Sequence, residues 1–206
     1  MNLRGIYAIT DDTLLANRNI TASIESALQA GISMLQYRTK SELNGLRLEQ
    51  ICQILDLCRQ HSVPLIINDD VTLCKAIGAQ GVHLGDEDEN LRAARITLGA
   101  EAIIGVTCHD SLQAAVAAEK AGADYVAFGR FHSSKTKPEA TSANVDILRE
   151  AQATLSLPIV AIGGINVENG AALIEAGADM LAVIHAIFGT NEISASTQRL
   201  VDLFEA

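Results

Sequence analysis

Short apolar segments alternate along this chain with longer amphipathic ones. The apolar segments are continuous and are bounded by glycine, proline or polar residues, which is typical of strands buried on both faces. The predicted strands span residues 6–10, 33–37, 64–68, 81–84, 103–107, 124–128, 158–162 and 179–183. Between them apolar residues recur at helical spacing, as at Leu48, Ile51, Leu55 and Cys58. The pattern therefore predicts alternating strands and helices.

A recurring phrase precedes every second predicted strand. A helical segment ends in Gly-Ala or a close relative, one polar residue follows, and a strand begins. The phrase occurs at residues 30–33, 77–80, 121–124 and 176–179, with its glycines 44 to 55 residues apart. Glycine ends a helix by adopting the left-handed conformation. The spacing is too long for one strand–helix unit and fits two.

Eight strands alternating with helices predict an α/β fold, namely a compact (β/α)8 TIM barrel that forms a single domain over residues 1–206. The composition agrees, since 49% of residues are hydrophobic and only 3% are aromatic, which predicts an aliphatic core. The cysteines lie in apolar, periodic segments without metal-type spacing, which predicts buried free thiols. They are Cys52, Cys58, Cys74 and Cys108.

Charge and hydropathy narrow the classes of partner. The formal net charge of −10 argues against nucleic acid, which needs a basic surface, but not against a small anion held by a few local cations. No apolar run approaches the roughly 20 residues of a membrane span. The first residues lack the pattern of a signal peptide. We therefore expect a cytoplasmic protein without nucleic-acid or membrane partners, and the sequence leaves open whether it forms a homo-oligomer.

Polar clusters follow several of the predicted strands directly, and the carboxyl ends of barrel strands form one face, where active sites lie. Asp69 and Asp88 follow the third and fourth strands, which are neighbours. Two carboxylates from adjacent strand ends can hold Mg2+, which also binds substrate phosphates. Acidic residues at these positions could instead cap the following helices.

Cationic and amide side chains alternate at the end of the second strand. Gln36, Arg38 and Lys40 stand two residues apart, so they share one face of an extended chain. An amide, a guanidinium and an ammonium group together suit a polyanion. The alternative is an exposed strand end with solvated charges.

Further anion-binding candidates lie in later loops. The irregular stretch 129–142 contains Ser134, Thr136 and Lys137, which offer hydroxyls and a cation. Gly163-Gly164 follows the seventh strand and Ile184-His185 follows the eighth, where barrels often bind phosphate. A polar loop and a tight glycine turn are the alternatives.

Two histidines lie near this face. His83 is inside the fourth strand and is expected to be a hydrogen-bonded core or wall residue. His109, just past the fifth strand, is better placed for acid–base chemistry, and the alternative is that it orients a loop or caps a helix. Two anion sites and one metal site on one face suit group transfer with loss of diphosphate, in which cations stabilise the leaving group.

At these residues the chain resembles the thiamine-phosphate synthase family over nearly its whole length. The matching segments are 7–11, 35–40, 67–69, 81–85 with Asp88, 105–107, Thr136-Lys137 and 161–165. The resemblance implies a transferase of thiamine biosynthesis that joins 4-amino-5-hydroxymethyl-2-methylpyrimidine diphosphate to 4-methyl-5-(2-hydroxyethyl)thiazole phosphate. The products are thiamine phosphate and diphosphate, and the mechanism is dissociative and Mg-assisted.

The resemblance also implies a role for each candidate residue. Asp69 and Asp88 would hold Mg2+. Gln36, Arg38, Lys40 and Asn68 would bind the pyrimidine diphosphate, with Thr107 adding a hydroxyl. Ser134, Thr136, Lys137 and Gly164 would bind the thiazole phosphate, together with Ile184 and His185 after the eighth strand. Thr107 stands where serine is usual, Ser134 where threonine is usual, and His185 where serine often stands.

Two alternatives remain on sequence grounds. The related thiazole tautomerases share the barrel and the thiazole-phosphate site, and a histidine near their fifth strand takes part in proton transfer, as His109 could. A tautomerase needs neither the metal nor the diphosphate cluster, so the presence of that cluster favours the synthase. Its residues are Gln36, Arg38, Lys40, Asp69 and Asp88. The other alternative is a phosphate-binding barrel without turnover.

Overall fold

The computed structural model describes residues 3–41, 44–85, 88–132 and 143–205, with the side chains of residues 88–90 left out. Eight parallel strands form a closed barrel in chain order. They are β1 (Gly5–Ile9), β2 (Met34–Tyr37), β3 (Leu65–Asn68), β4 (Gly81–Leu84), β5 (Ile103–His109), β6 (Tyr125–Gly129), β7 (Ile159–Ile162) and β8 (Met180–Val183). The predicted (β/α)8 barrel is thus confirmed, and no predicted strand end lies more than two residues from the observed one.

Helices follow the strands and cover the outside of the barrel. They are α1 (Asp12–Leu15), α2 (Ile20–Gln29), α3 (Gly45–Gln60), α4 (Val71–Ile77), α5 (Asp88–Leu98), α6 (Leu112–Ala121), α7 (Asp146–Thr154), α8 (Gly170–Glu175), α9 (His185–Phe188) and α10 (Ile193–Val201), with a final 3-10 turn at Asp202–Phe204. No helix in the described ranges is long and apolar enough to cross a membrane.

Alternation along each strand separates two cores. Ile6, Ala8 and Leu35 belong to the large core between strands and helices. Tyr7 and Met34 belong to a smaller core inside the barrel. Because successive side chains point to opposite faces of a strand, the parity that places Met34 inside the barrel also places Gln36 there, one layer nearer the carboxyl end.

The repeated Gly-Ala phrase builds the amino-terminal face of the barrel. In three of its four copies the polar residue accepts a hydrogen bond from a main-chain N–H near the start of the preceding strand. Leu65 N–H donates to Gln80 Oε1 at 2.9 Å, Ile104 N–H to Asp124 Oδ2 at 2.7 Å, and Ile159 N–H to Asp179 Oδ2 at 2.8 Å. Buried main-chain donors need such partners. The repeat therefore serves the face opposite the strand ends that carry the candidate chemistry.

Three of the four cysteines are buried free thiols, as predicted, and their burial raises the pKa of Cys58 to about 12 and of Cys74 to about 11. The prediction was wrong for Cys52, which is exposed. Cys52 follows Ile51, which is fully buried on α3, so the next position on that helix is turned away from the barrel. Cys108 belongs to the outer core rather than to the barrel interior.

Candidate active site

A cavity of about 470 Å³ opens at the carboxyl ends of the strands. Seven of the predicted binding residues line it, namely Gln36, Arg38, Asn68, Thr107, Gly164, Ile184 and His185. Lys40 lines an adjoining pocket of about 340 Å³ that it shares with Arg38 and His185. The side chains of Asp88, Ser134, Thr136 and Lys137 lie outside the described residues. The structure thus brings the described candidates to one face.

The end of β2 is held in place by residues that follow β1. Arg38 N–H donates to Thr10 Oγ1 at 2.8 Å, and the Thr10 hydroxyl donates back to the Arg38 carbonyl at 3.2 Å. Asp12 Oδ2 accepts hydrogen bonds from Lys40 N–H at 2.9 Å and from the Thr39 hydroxyl at 2.8 Å. These contacts fix the main chain from which the cations of Arg38 and Lys40 project.

Asp12 stays ionised in this position. Partial burial alone would raise its pKa, but the hydrogen bonds from Thr39 and Lys40 and the charge of Arg47 together hold the pKa of Asp12 below its usual range. Arg47 Nη1 lies 3.5 Å from Asp12 Oδ1. Asp12 therefore serves as the fixed anchor of this loop.

The end of β3 presents two acidic residues in different environments. Asp69 has a left-handed backbone, with φ of 61°, and its Oδ2 accepts a hydrogen bond from Asn68 Nδ2 at 2.6 Å. Asp70 caps α4, since its Oδ1 accepts from Leu73 N–H at 2.8 Å. Asp70 is therefore the acidic residue that caps the helix after β3. The Asp69 carboxylate instead lies beside Asn68, which lines the cavity.

The described residues include no cluster of three or more His, Cys, Asp and Glu side chains that could hold a metal ion. A carboxylate donor set with few protein ligands nevertheless suits Mg2+, which keeps several waters and uses one or two carboxylates plus substrate phosphates. Asp69 offers such a hard oxygen donor next to the cavity-lining Asn68, but Asp69 itself does not line the cavity. The residues present thus fit this ion, although Asp88 is the partner for which no side-chain position is described.

The barrel interior forms the floor of the cavity. His83 was expected to be a wall residue, and both of its ring nitrogens have partners: Nδ1 lies 2.9 Å from the Tyr125 hydroxyl and Nε2 lies 2.8 Å from Thr107 Oγ1. Tyr7, which sequence reasoning missed, lines the cavity and accepts a hydrogen bond from Gln36 Nε2 at 2.7 Å. The sequence did contain a signal for this position. Tyr7 stands two residues before Ile9 on β1, so both side chains point into the barrel.

The loops after β6 and β7 meet at the other end of the cavity. His132 N–H donates to the Gly163 carbonyl at 3.0 Å, and a Cβ at Gly163 would overlap Arg130. Gly163 and Gly164 have φ of 109° and 64°, which favours glycine. Arg130 lines the cavity with Gly164 and His185. Sequence reasoning missed Arg130, although it directly follows a strand as the other candidates do.

His109 is the last residue of β5, whereas it was predicted to lie just past that strand. The pairing register between β5 and β6 shifts between Thr107 and His109, and His109 has φ of 52°. Its side chain lines the same cavity. A histidine on a cavity wall can orient a bound molecule or move a proton.

Comparison with known proteins identifies the family. The family model described as thiamine monophosphate synthase matches residues 6–187. The thiamine-phosphate synthase of Nitrosococcus oceani is 49% identical over 195 residues, covering 95% of this chain and 90% of that protein. The thiamine-phosphate synthase of Thioalkalivibrio sulfidiphilus is 46% identical over 203 residues, covering 98% and 96%.

A solved structure supports the same conclusion. The thiamine phosphate pyrophosphorylase from Pyrococcus furiosus is 31% identical, superimposes with a TM-score of 0.88, and the match covers 99% of this chain and 96% of that one. The resemblance inferred from the sequence motifs is thus confirmed. The chain belongs to the thiamine monophosphate synthase family.

Proposed function

We propose that this protein joins 4-amino-5-hydroxymethyl-2-methylpyrimidine diphosphate to 4-methyl-5-(2-hydroxyethyl)thiazole phosphate and so forms thiamine phosphate and diphosphate. The observation that carries the proposal is one cavity with anion-binding groups at both ends. Arg38 and Lys40 follow β2, and Arg130 and Gly164 follow β6 and β7 across the closed barrel. His185 borders both the cavity and the adjoining pocket. Family membership agrees with this reaction.

The cationic end suits the diphosphate. Arg38 offers a planar fork of donors and Lys40 a compact charge, and both side chains project from the anchored end of β2. The carbon–oxygen bond to diphosphate breaks with its electron pair on the leaving oxygen. Cations fixed at that position stabilise the developing charge without reorganising.

The glycine end suits the single phosphate of the thiazole. Main-chain N–H groups can approach an anion closely where no Cβ intervenes, and Arg130 and His185 add side-chain donors. Binding there positions the thiazole nitrogen to attack the methylene carbon with its lone pair. Since that pair forms the new carbon–nitrogen bond, the coupling needs no protein nucleophile, and Cys108 in the outer core is not required.

We assign Asp69 and Asp88 as the residues that hold Mg2+. When bound, the ion would neutralise charge on the diphosphate. The Asn68 amide, which donates to Asp69 Oδ2 at 2.6 Å, orients that carboxylate. Ser134, Thr136 and Lys137 keep their proposed role at the thiazole phosphate, which rests on the family resemblance.

The second candidate is a thiazole tautomerase, which His109 on the cavity wall favours. A two-substrate assay of the purified protein, with Mg2+ and with chelator, separates the two. Equal amounts of thiamine phosphate and diphosphate that appear only with the metal would support the synthase and its metal site. Thiazole isomerisation without coupling would instead favour the tautomerase, and thiazole-phosphate binding without any product would favour a barrel without turnover.

A further inference from the structure

A continuous chain of hydrogen bonds crosses the floor of the cavity and joins two predicted substrate ligands. Gln36 Nε2 donates to the Tyr7 hydroxyl at 2.7 Å, and the Tyr7 and Tyr125 hydroxyls lie 2.8 Å apart. The Tyr125 hydroxyl lies 2.9 Å from His83 Nδ1, and His83 Nε2 lies 2.8 Å from Thr107 Oγ1. We call this the floor relay: Gln36, Tyr7, Tyr125, His83 and Thr107.

Packing holds the centre of the floor relay rigid. Tyr125 is fully buried, and a Cβ at Gly105 would overlap its ring, so the phenol occupies space that glycine leaves open. Its ring is perpendicular to that of Tyr7, with centroids 5.8 Å apart, and stacks on His83 with centroids 5.6 Å apart. Tyr125 does not line the cavity, whereas the other four members do.

One direction through these hydrogen bonds starts from their first member. An amide nitrogen can only donate, so the Tyr7 oxygen accepts from Gln36. The Tyr7 hydrogen is then available to Tyr125. Tyr125 then donates its own hydrogen to His83 Nδ1. A neutral imidazole that accepts at Nδ1 carries its hydrogen on Nε2 and donates it to Thr107.

Burial keeps the two phenols able to donate. Desolvation raises the pKa of Tyr7 and of Tyr125 well above the usual range, so both remain protonated. If His83 became an imidazolium it would donate at both nitrogens, and the Tyr125 hydrogen would lose its acceptor. With both phenols protonated and His83 neutral, all four bonds can run in one direction, from Gln36 to Thr107.

We propose that the floor relay is a positioning device, in which the Gln36 amide sets the direction of every bond so that the Thr107 hydroxyl donates into the cavity. The inference rests on the proposed function in one respect: the acceptor of the Thr107 hydrogen is an oxygen of the diphosphate. Tyr7, Tyr125 and His83 thus act on the reaction through Gln36 and Thr107.

The first test reads the tautomer of His83 by nitrogen-15 NMR of histidine-labelled protein without substrate, with His83→Gln to assign the signals. The native chain should show a single form, protonated on Nε2. In Gln36→Glu an ionised carboxylate must accept from Tyr7, which reverses each bond and moves the His83 hydrogen to Nδ1. The ionisation of that carboxylate is followed by carbon-13 NMR, and Gln36→Met, which has no N–H or O–H, is the matched control.

The outcomes of this test are distinct from those of the coupling assay, because no substrate or turnover is involved. Reversal in Gln36→Glu but not in Gln36→Met would support the floor relay. A His83 that keeps its hydrogen on Nε2 opposite an ionised carboxylate would overturn it, as would the same change of form in both variants. A protonated carboxyl can donate as the amide does, so retention of the Nε2 form there agrees with the proposal.

The second test is a double-mutant cycle on kcat/KM for the pyrimidine diphosphate, with Tyr125→Phe and Thr107→Val. Thr107→Val should cost roughly 100-fold in the native background, because it removes a directed donor. Tyr125→Phe should cost roughly 10-fold by interrupting the relay, and Thr107→Val should then cost less than about 10-fold more. Tyr37→Phe, which changes a tyrosine of the outer core, should stay within about 2-fold. Independent, multiplicative effects of the two substitutions would overturn the proposal.

Discussion

Asp69 and Asp70 are consecutive, yet their carboxylates have different partners. Asp70 Oδ1 accepts from Leu73 N–H at 2.8 Å and caps α4, while Asp69 Oδ2 accepts from the Asn68 amide, which lines the cavity. The left-handed backbone of Asp69 separates the two side chains. Asp70 thus stabilises a helix as its cap, whereas Asp69 is the residue proposed as a metal ligand.

This difference gives a matched pair of variants. Asp69→Asn keeps the size and the tolerance of a left-handed backbone, so the fold should be unchanged. Loss of the proposed metal ligand should lower coupling by roughly 100-fold or more, since a bound metal contributes several kcal/mol. Asp70→Ala should retain activity but lose about 1 kcal/mol of stability through the missing cap. Steady-state kinetics with a Mg2+ titration measures the activity of the two variants, and thermal unfolding measures their stability. Full activity in Asp69→Asn would show that Asp69 is not a metal ligand.

Arg38→Ala tests the diphosphate end of the cavity. A charge-assisted hydrogen bond contributes about 1.5–3 kcal/mol, so kcat/KM for the pyrimidine diphosphate should fall by about 10- to 100-fold. Arg149→Ala removes an equally charged side chain from an exposed pair with Asp146 and should leave the kinetics unchanged. Unaltered kinetics in Arg38→Ala with intact folding would contradict the assignment.

Arg130→Met tests the opposite end. Arg130 lines the same cavity as Gly164 and His185, so loss of its guanidinium should raise the KM for the thiazole phosphate by about 10-fold or more. The KM for the pyrimidine diphosphate should change little, because Arg38 lies at the other anion site. A rise only in the KM for the pyrimidine diphosphate would show that Arg130 binds the diphosphate instead.

His109→Gln distinguishes the two candidate chemistries. The coupling needs no proton transfer, so the variant should keep most of its synthase activity, within about 10-fold, because glutamine preserves a hydrogen-bonding side chain at the cavity wall. A tautomerase would lose activity by several orders of magnitude. The comparison is made by following thiamine phosphate formation and thiazole isomerisation on the same preparations.

The fold was predictable because hydrophobic periodicity determines strand order in a barrel of regular units. Gln36 and Arg38 were predictable as cavity residues because side chains on an extended strand alternate between faces. The role of Tyr125 was not predictable. A tyrosine inside an apolar strand gives the same sequence pattern whether its hydroxyl only packs in a core or joins two ligand residues by hydrogen bonds. The environment of Tyr125 depends on Gly105, which lies on another strand.

Arg130 and Cys52 show a second limit of sequence reasoning. Arg130 reaches the cavity because Gly163, from the loop after β7, leaves room beside it, and that approach is a tertiary contact between distant segments. Cys52 has apolar neighbours in sequence but lies on the exposed side of α3. Both depend on where an element packs, which local pattern does not specify.

The amino-terminal face provides a prediction about stability rather than catalysis. Asp124 Oδ2 accepts hydrogen bonds from Ile104 N–H at 2.7 Å and from Arg95 Nη2 at 2.5 Å. Asp124→Ala would leave the fully buried Ile104 N–H unpaired, at a cost of about 2–3 kcal/mol. For a chain of this length the melting temperature should fall by about 5–10 °C.

Asp146→Ala is the matched control for this prediction, because it also removes an aspartate paired with arginine. Asp146 Oδ1 lies 2.6 Å from Arg149 Nη1, but the two side chains are 64% and 61% exposed. Exposed ion pairs contribute at most about 1 kcal/mol to stability. The melting temperature of Asp146→Ala should therefore fall by no more than about 3 °C. Both variants should retain native kcat, since neither residue lines the cavity. Equal melting temperatures in the two variants would mean that the polar residue of the Gly-Ala phrase does not stabilise the barrel through its main-chain partner.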